Sequence, residues 1–134
     1  VDIVIGNDEE FGHMAGNFDA GSEFAKSLAA AGRLVVYKMG ERGSQAYFSQ
    51  DVIVTGVFPV TPIKPTGAGD AFLGSFLASL SRKEGLAKSI MYGSASAALV
   101  VTRVGCAPAM PTLEELSLFV DRHQESAEQR LGRL

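Results

Sequence analysis

A turn of small residues followed by an acid is the stretch of this sequence best suited to chemistry. Gly67, Ala68 and Gly69 carry almost no side chain, so their backbone N–H groups can approach an anion closely. If a helix begins at Gly69 or Asp70, the free amides and the dipole of its first turn favour negative charge there. A carboxylate repels a bound phosphate. Asp70 would therefore weaken a turn that only binds phosphate. It suits proton abstraction from a hydroxyl while the turn holds a phosphoryl group.

A simpler interpretation is that Gly-Ala-Gly-Asp is a capped helix start, with Asp70 as the cap. The longer stretch from Pro65 to Phe76 favours catalysis. It closely resembles the second signature of the ribokinase-like sugar kinases, the PfkB family, whose pattern is Asp-Thr-x-Gly-Ala-Gly-Asp-x-Phe. This resemblance implies that Asp70 is the catalytic base and that Gly67, Ala68 and Gly69 form the anion hole.

A second candidate element is the Asn-x-x-Glu pair formed by Asn7 and Glu10. It follows Val1–Ile5, a β-branched run that predicts a buried parallel strand. Asn7 before an acidic turn is typical of a helix N-cap. The kinase family has the same pair after a central strand, where it helps to organise magnesium and the nucleotide phosphates. The residues alone leave both interpretations open.

Gly40 and Gly43 form a third element at the end of the predicted strand Leu34–Met39. Gly-x-x-Gly after a strand is more often a hairpin turn, and the strand-like run that follows supports a hairpin. The family carries Thr-x-Gly-x-x-Gly here, and that element contacts ATP. Lys38 replaces the usual Thr. It could meet a phosphate as a point charge or point elsewhere.

Two predicted helices follow, Ala68–Leu80 and the Ala- and Ser-rich Leu86–Val101. The resemblance implies that the second lines the adenine pocket, although an Ala-rich helix packed in a core is an equally good interpretation. The nucleotide contacts that the resemblance implies are Asn7, Glu10, Lys38, Gly40, Gly43, Thr66 and Ser94. Magnesium would be held indirectly, through Glu10.

The order of elements predicts an α/β fold with a largely parallel sheet flanked by helices. Short, irregular β segments are expected at Val52–Val54 and Val57–Pro62. Ligands of such sheets bind beyond the carboxyl ends of the strands, where all three elements could converge. The order matches the C-terminal half of a ribokinase-like kinase. Within the family, the residues from Lys64 and from Gly105 look most like those of the 5-dehydro-2-deoxygluconokinases.

Lys64 is a departure from the family pattern. Ribokinase-like enzymes with an Asp at this position use it to bind an activating monovalent cation near the anion hole. A lysine cannot ligate a cation. Its ammonium could replace the ion, or Lys64 could be solvated and the cation site lost.

Composition excludes several classes of protein. A net charge of −3 with scattered basic residues gives no case for nucleic acid, and no apolar run is long enough to span a bilayer. The single cysteine, Cys106, fits a reducing cytoplasm and is expected to be a small packed residue. At 134 residues the chain has the length of one domain with a single core.

The chain begins within a predicted strand and without Met. We therefore expect residues 1–134 to be the C-terminal nucleotide-binding portion of a PfkB-type kinase domain, inactive alone because the N-terminal substrate and lid portion is absent. The sheet surface that this portion would cover favours association, for example as a homodimer.

The expected function is ATP-dependent phosphorylation of a sugar or sugar-acid hydroxyl, with Mg²⁺. Two alternatives remain. One is a non-catalytic nucleotide-binding module, and the other is an inactive fragment of a kinase with another acceptor, such as a nucleoside.

Overall fold

The computed structural model describes residues 1–131 and divides the chain into two compact units. The first comprises Val1–Val57 and contains the whole sheet, while the second begins at Phe58 and is helical. Chain length predicts a single core, but each unit contains hydrophobic clusters of its own. The α/β composition agrees with the prediction.

The sheet of the first unit has four strands in the order β1-β2-β3-β4. Their bounds are β1 Ile3–Asn7, β2 Leu34–Lys38, β3 Ser44–Phe48 and β4 Asp51–Thr55. Only β1 and β2 pair in parallel, and the other two pairings are antiparallel. The expected largely parallel pairing therefore does not hold for these four strands. Short connections join β2 to β3 and β3 to β4, and such connections can only reverse the chain direction.

Two helices pack on one face of this sheet, α1 Asp8–Ala15 and α2 Gly21–Ala30. Their cluster is formed by buried side chains from both helices and from β2 and β3. Its members are Phe11, Ala25, Ala29, Val35, Tyr37 and Tyr47. Strand β1 lies two residues later than the predicted Val1–Ile5, so it includes Asn7. The strand ends at Asn7 because this residue is the N-cap of α1, which begins at Asp8.

The second unit contains α3 Ala68–Ser81, α4 Leu86–Val101 and α5 Leu113–Leu131. The predicted bounds of α3 and α4 are confirmed to within one residue. The β segment expected at Val57–Pro62 is wrong, since no strand is assigned there, and Pro59 and Pro62 lack the N–H that a ladder needs. Among the described residues, none of the helices is long and apolar enough to cross a membrane.

Candidate active site

The turn predicted to be catalytic belongs to the second unit and lies at the start of α3. The helix begins at Ala68, as predicted, and its N-cap is Gly67 with φ +90°. No side chain caps it, so the interpretation of Asp70 as the cap is wrong. Asp70 is the third helical residue, and it is exposed. Its carboxylate is therefore not used for capping and can meet a ligand.

The amides of this turn are available because of where the helix begins. The first N–H groups of an α-helix have no intrahelical acceptor, which applies here to Gly67, Ala68, Gly69 and Asp70. The Ala68 amide makes one long bond, 3.4 Å, to the Pro65 carbonyl. The three amides of the predicted anion hole therefore lack intrahelical acceptors, and the Asp70 amide is a fourth donor of the same kind.

Packing holds the turn against the end of α4. Ala71, directly after Asp70, is buried with Val100 and Ala109. The amides of Ile63 and Lys64 both donate to the Val101 carbonyl, at 2.7 and 3.2 Å. The first turn of α3 is therefore anchored from both sides.

Lys64 is partly buried, and its ammonium makes two contacts. Its ammonium donates to the Thr66 carbonyl at 2.9 Å and lies 3.8 Å from the Cys106 sulfur. Both contacts are solvent-exposed, and the two interpretations of Lys64 stay predictions. Cys106 is exposed, so its assignment as a packed residue is wrong. It lies in a loop next to the Gly67 turn, where its sulfur would be 3.9 Å from a Cβ on Gly67.

Ser94, the candidate adenine contact, is partly buried on α4. It precedes Val100, which contacts the Gly67 turn, by six residues, or roughly 9 Å along the helix axis. The structure therefore does not bring Ser94 to the turn itself. Gly93 and Ser96 on either side are buried, as expected for an Ala- and Ser-rich helix that packs closely.

In the first unit, Asn7 and Lys38 are brought together at one edge of the sheet. They are register partners at the ends of the parallel strands β1 and β2. Gly40 and Gly43 follow directly in the turn after β2. Two of the three predicted elements therefore converge, as the rule for ligand sites at strand ends anticipates.

Asn7 and Glu10 form a complete capping box at the start of α1. The Glu10 amide donates to Asn7 Oδ1 at 2.8 Å, and the Asn7 amide donates to Glu10 Oε2 at 2.7 Å. The capping interpretation of this pair is confirmed. It leaves Asn7 Nδ2 and Glu10 Oε1 outside the cap, so a nucleotide role remains a prediction.

The sequence analysis missed an ion pair between Asp8 and Arg42. Arg42 Nη2 lies 2.9 Å from Asp8 Oδ2, which joins the first turn of α1 to the Gly-x-x-Gly turn. The side chain of Arg42 is 69% exposed, so its remaining donors face solvent. The available signal was a pair of opposite charges in the segments that follow two neighbouring parallel strands, with Asp8 directly after β1 and Arg42 in the turn after β2.

The two glycines of the turn have different requirements. A Cβ on Gly43 would lie 2.2 Å from the Thr55 carbonyl oxygen, so the backbone of β4 excludes any side chain there. Its amide and carbonyl bond to Gly40 and Met39, which fixes the turn. Gly40, at φ +56°, has nothing within 4 Å of a Cβ position. Of these two glycines, Gly40 is the one with open space beside its backbone.

The described side chains can be tested for whether they fit a magnesium site. Among the side chains that the structure describes, no group of three or more His, Cys, Asp or Glu could hold a metal ion by itself. Mg²⁺ commonly keeps several waters and binds through one or two carboxylates plus substrate phosphates. The free oxygen of Glu10 fits that indirect kind of contact.

Comparison with known proteins agrees with this geometry. The model of the pfkB family carbohydrate kinases matches residues 1–113. The chain is 40% identical over 122 residues to 5-dehydro-2-deoxygluconokinase of Shouchella clausii (strain KSM-K16), covering 89% of this chain and 37% of that protein. It spans about two fifths of the length of the curated relatives it matches.

Solved structures with the ribokinase fold are similar as well. Ribokinase from Thermotoga maritima has a TM-score of 0.82 at 27% identity, over 90% of this chain and 42% of that one. Fructokinase from Vibrio cholerae O395, in its fructose-, ADP- and calcium-bound form, has a TM-score of 0.78 at 26% identity, over 90% and 41%. The predicted ribokinase-like fold and the resemblance to 5-dehydro-2-deoxygluconokinases are confirmed.

Proposed function

The chain belongs to the pfkB family of carbohydrate kinases, and from this membership we propose ATP-dependent phosphorylation of a sugar or sugar-acid hydroxyl. One observation carries the proposal. Asp70 lies exposed in the first turn of α3, directly beside backbone amides that have no intrahelical acceptor. A base next to an anion site is what phosphoryl transfer to a hydroxyl requires.

Asp70 acts as the base in this proposal. Its carboxylate accepts the proton of the acceptor hydroxyl as the oxygen attacks the terminal phosphorus of ATP. The bond from that phosphorus to the bridging oxygen breaks, and ADP leaves. Phosphoryl transfer depends mainly on positioning and charge stabilisation, so one base and a few donors are enough.

The amides of Gly67, Ala68 and Gly69 stabilise the charge on the transferring group. They are fixed before the substrate binds, and the helix dipole of α3 adds to their field. Loss of one such donor typically costs about 10²–10³ in kcat. The Ala68 amide is the weakest of the three in this role, because it already has a partial acceptor in Pro65.

The nucleotide contacts are proposed within each unit separately. In the first, Asn7 Nδ2, Lys38 and the open backbone at Gly40 would bind phosphates, and Glu10 would hold magnesium through water. Bound magnesium would neutralise phosphate charge. In the second unit, Thr66 and Ser94 would contact the nucleotide. The ADP bound to the Vibrio cholerae fructokinase supports nucleotide use in this fold.

The acceptor proposed first is 5-dehydro-2-deoxygluconate, which the name of the Shouchella clausii relative indicates. Ribose and fructose are the next candidates, because the similar structures are named as ribokinase and fructokinase. A screen of the full protein with ATP and these acceptors, with a nucleoside as a further arm, identifies the acceptor.

The experiment that tests the mechanism is Asp70→Asn in the full protein. The variant should fold and bind ATP normally, while turnover falls by at least about 10². Asp121→Asn is the matched control, because Asp121 is an exposed aspartate on α5. A near-normal rate for Asp70→Asn would disprove the assignment of the base. ATP binding by a wild-type protein that phosphorylates no acceptor would favour a non-catalytic module.

A further inference from the structure

The contact between Lys64 and Thr66 reaches the anion hole through a single peptide group. Lys64 Nζ donates to the Thr66 carbonyl oxygen at 2.9 Å. That carbonyl belongs to the same planar peptide as the Gly67 N–H, the first donor of the turn. In a trans peptide the C=O and N–H point in opposite directions. The ammonium therefore holds the end of the peptide opposite to the donor.

We propose that Lys64 is a positioning residue for phosphoryl transfer, which orients and polarises the Thr66–Gly67 peptide so that the Gly67 N–H points at the transferring phosphoryl group. A hydrogen bond to a charged group is shorter and stronger than a neutral one. Charge on the carbonyl oxygen also strengthens the N–H as a donor, because linked hydrogen bonds polarise one another. The inference rests on the function proposed above.

The ammonium is itself well anchored. The Lys64 amide bonds to the Val101 carbonyl at the end of α4, and Nζ lies 3.8 Å from Cys106 Sγ. The loop that carries Cys106 is held by Arg103, which contacts the Ala109 carbonyl and pairs with Glu115 at 3.1 Å. The cation therefore has a fixed location next to the turn.

The geometry of Gly67 makes this support necessary. Gly67 has φ +90° and no side chain caps the helix at this residue. The side-chain bond to the peptide before Gly67 is the one from Lys64. A peptide free to rotate would lose the alignment on which charge stabilisation depends. Lys64 supplies that restraint together with a positive charge that stays in the chain.

The test compares Lys64→Met and Lys64→Arg in the full protein. Met keeps most of the length of the side chain and removes the charge, whereas Arg keeps the charge and can still donate to a carbonyl. We expect Lys64→Met to lower kcat at least about tenfold, less than the loss of a whole donor, with the KM for ATP changed much less. Lys64→Arg should retain most of the rate. Lys26→Met, which removes an exposed lysine paired with Glu23, is the control.

Chemical rescue separates this role from a purely structural one. In Lys64→Ala, methylammonium or potassium ions can enter the vacated space and bind the Thr66 carbonyl, so each should restore part of kcat. Wild-type protein should not be activated by potassium, because its own ammonium occupies the carbonyl. A several-fold activation of the wild type by potassium would overturn the proposal.

Two further outcomes also decide against Lys64. One is a wild-type kcat in Lys64→Met. The other is a loss of activity that accompanies a large fall in melting temperature and is not rescued in Lys64→Ala. Both outcomes count against Lys64 only when the wild-type protein phosphorylates its acceptor and the Asp70→Asn variant is inactive. If the wild type phosphorylates no acceptor, the proposed function has failed instead.

Discussion

Three ring atoms of Phe72 lie 3.1 Å from the position that a Cβ on Gly93 would occupy. Glycine at this point of α4 lets the Phe72 ring pack directly against the helix backbone. Phe72 is only 4% exposed and stacks on Phe76, with 6.2 Å between ring centroids. The ring therefore has little room to move. The close packing of α3 on α4 requires that residue 93 has no Cβ.

Gly93→Ala should therefore destabilise the protein. Overpacking of a core typically costs about 1–3 kcal/mol, while alanine gains up to about 1 kcal/mol in helix propensity. We expect a net loss of about 1 kcal/mol, measured by thermal unfolding. Gly74→Ala is the matched control, since Gly74 is also helical but has nothing within 4 Å of a Cβ position. It should be neutral or stabilising, and equal effects of the two changes would contradict the packing argument.

The helices could be predicted from sequence because local signals define them. The bounds of α4, Leu86–Val101, are as predicted, and α3 starts at the predicted Ala68 and ends one residue later than predicted, at Ser81. Apolar periodicity and flanking glycines carry that information. The sheet was less predictable, because one parallel and two antiparallel pairings depend on connection lengths more than on strand composition.

The candidate site could be predicted only in part. Motif residues such as Asp70 stand out by type and spacing. The contacts of Lys64 with Cys106 and of Arg42 with Asp8 do not stand out, because the two residues of each pair lie 42 and 34 residues apart in the chain. Such pairs are set by tertiary packing, which leaves no periodic signal in one sequence.

Gly67 requires glycine for two reasons, which a substitution can separate. An alanine would have to adopt φ +90°, and its Cβ would lie 3.3 Å from Val100 Cγ1. The conformation alone costs about 1–2 kcal/mol. We expect Gly67→Ala to lose somewhat more stability than this and to lower kcat, because the amide donors move.

The control for Gly67 is Gly16→Ala. Gly16 has φ +75° at the end of α1, with nothing within 4 Å of a Cβ position. This variant should show the loss of stability without the loss of turnover. Unfolding curves and kcat for both variants test the distinction. The assignment of the turn to the anion hole fails if Gly67→Ala keeps full turnover.

Glu84 lies in the turn between α3 and α4 and makes the free energy of unfolding depend on pH. Hydrogen bonds from the Ser79 hydroxyl, then from Arg82 and Lys88, lower the pKa of Glu84 from 4.5 to about 2. A carboxyl whose pKa is lower in the folded state stabilises the protein above the unfolded pKa, and the effect is lost as pH falls through the folded pKa. The contribution of Glu84 should therefore be complete above about pH 5 and disappear towards pH 2.

Glu84→Gln should remove this dependence. Its melting temperature should lie below that of the wild type at neutral pH, and the difference should shrink as pH falls from about 5 to 2. Melting curves of both proteins across this range provide the measurement. A difference in melting temperature that stays constant with pH would mean that these hydrogen bonds do not lower the pKa of Glu84 in the folded protein.

The last prediction separates the two roles of Asn7. Asn7→Ala removes the acceptor for the Glu10 amide and should cost about 1 kcal/mol of stability. Asn7→Ser keeps an N-cap acceptor, so its stability should stay close to that of the wild type. Serine has no counterpart of the Asn7 Nδ2 donor, which lies outside the cap. If that donor binds a nucleotide phosphate, Asn7→Ser should raise the KM for ATP several-fold, with its melting temperature nearly unchanged. An unchanged KM in Asn7→Ser would restrict Asn7 to the helix cap.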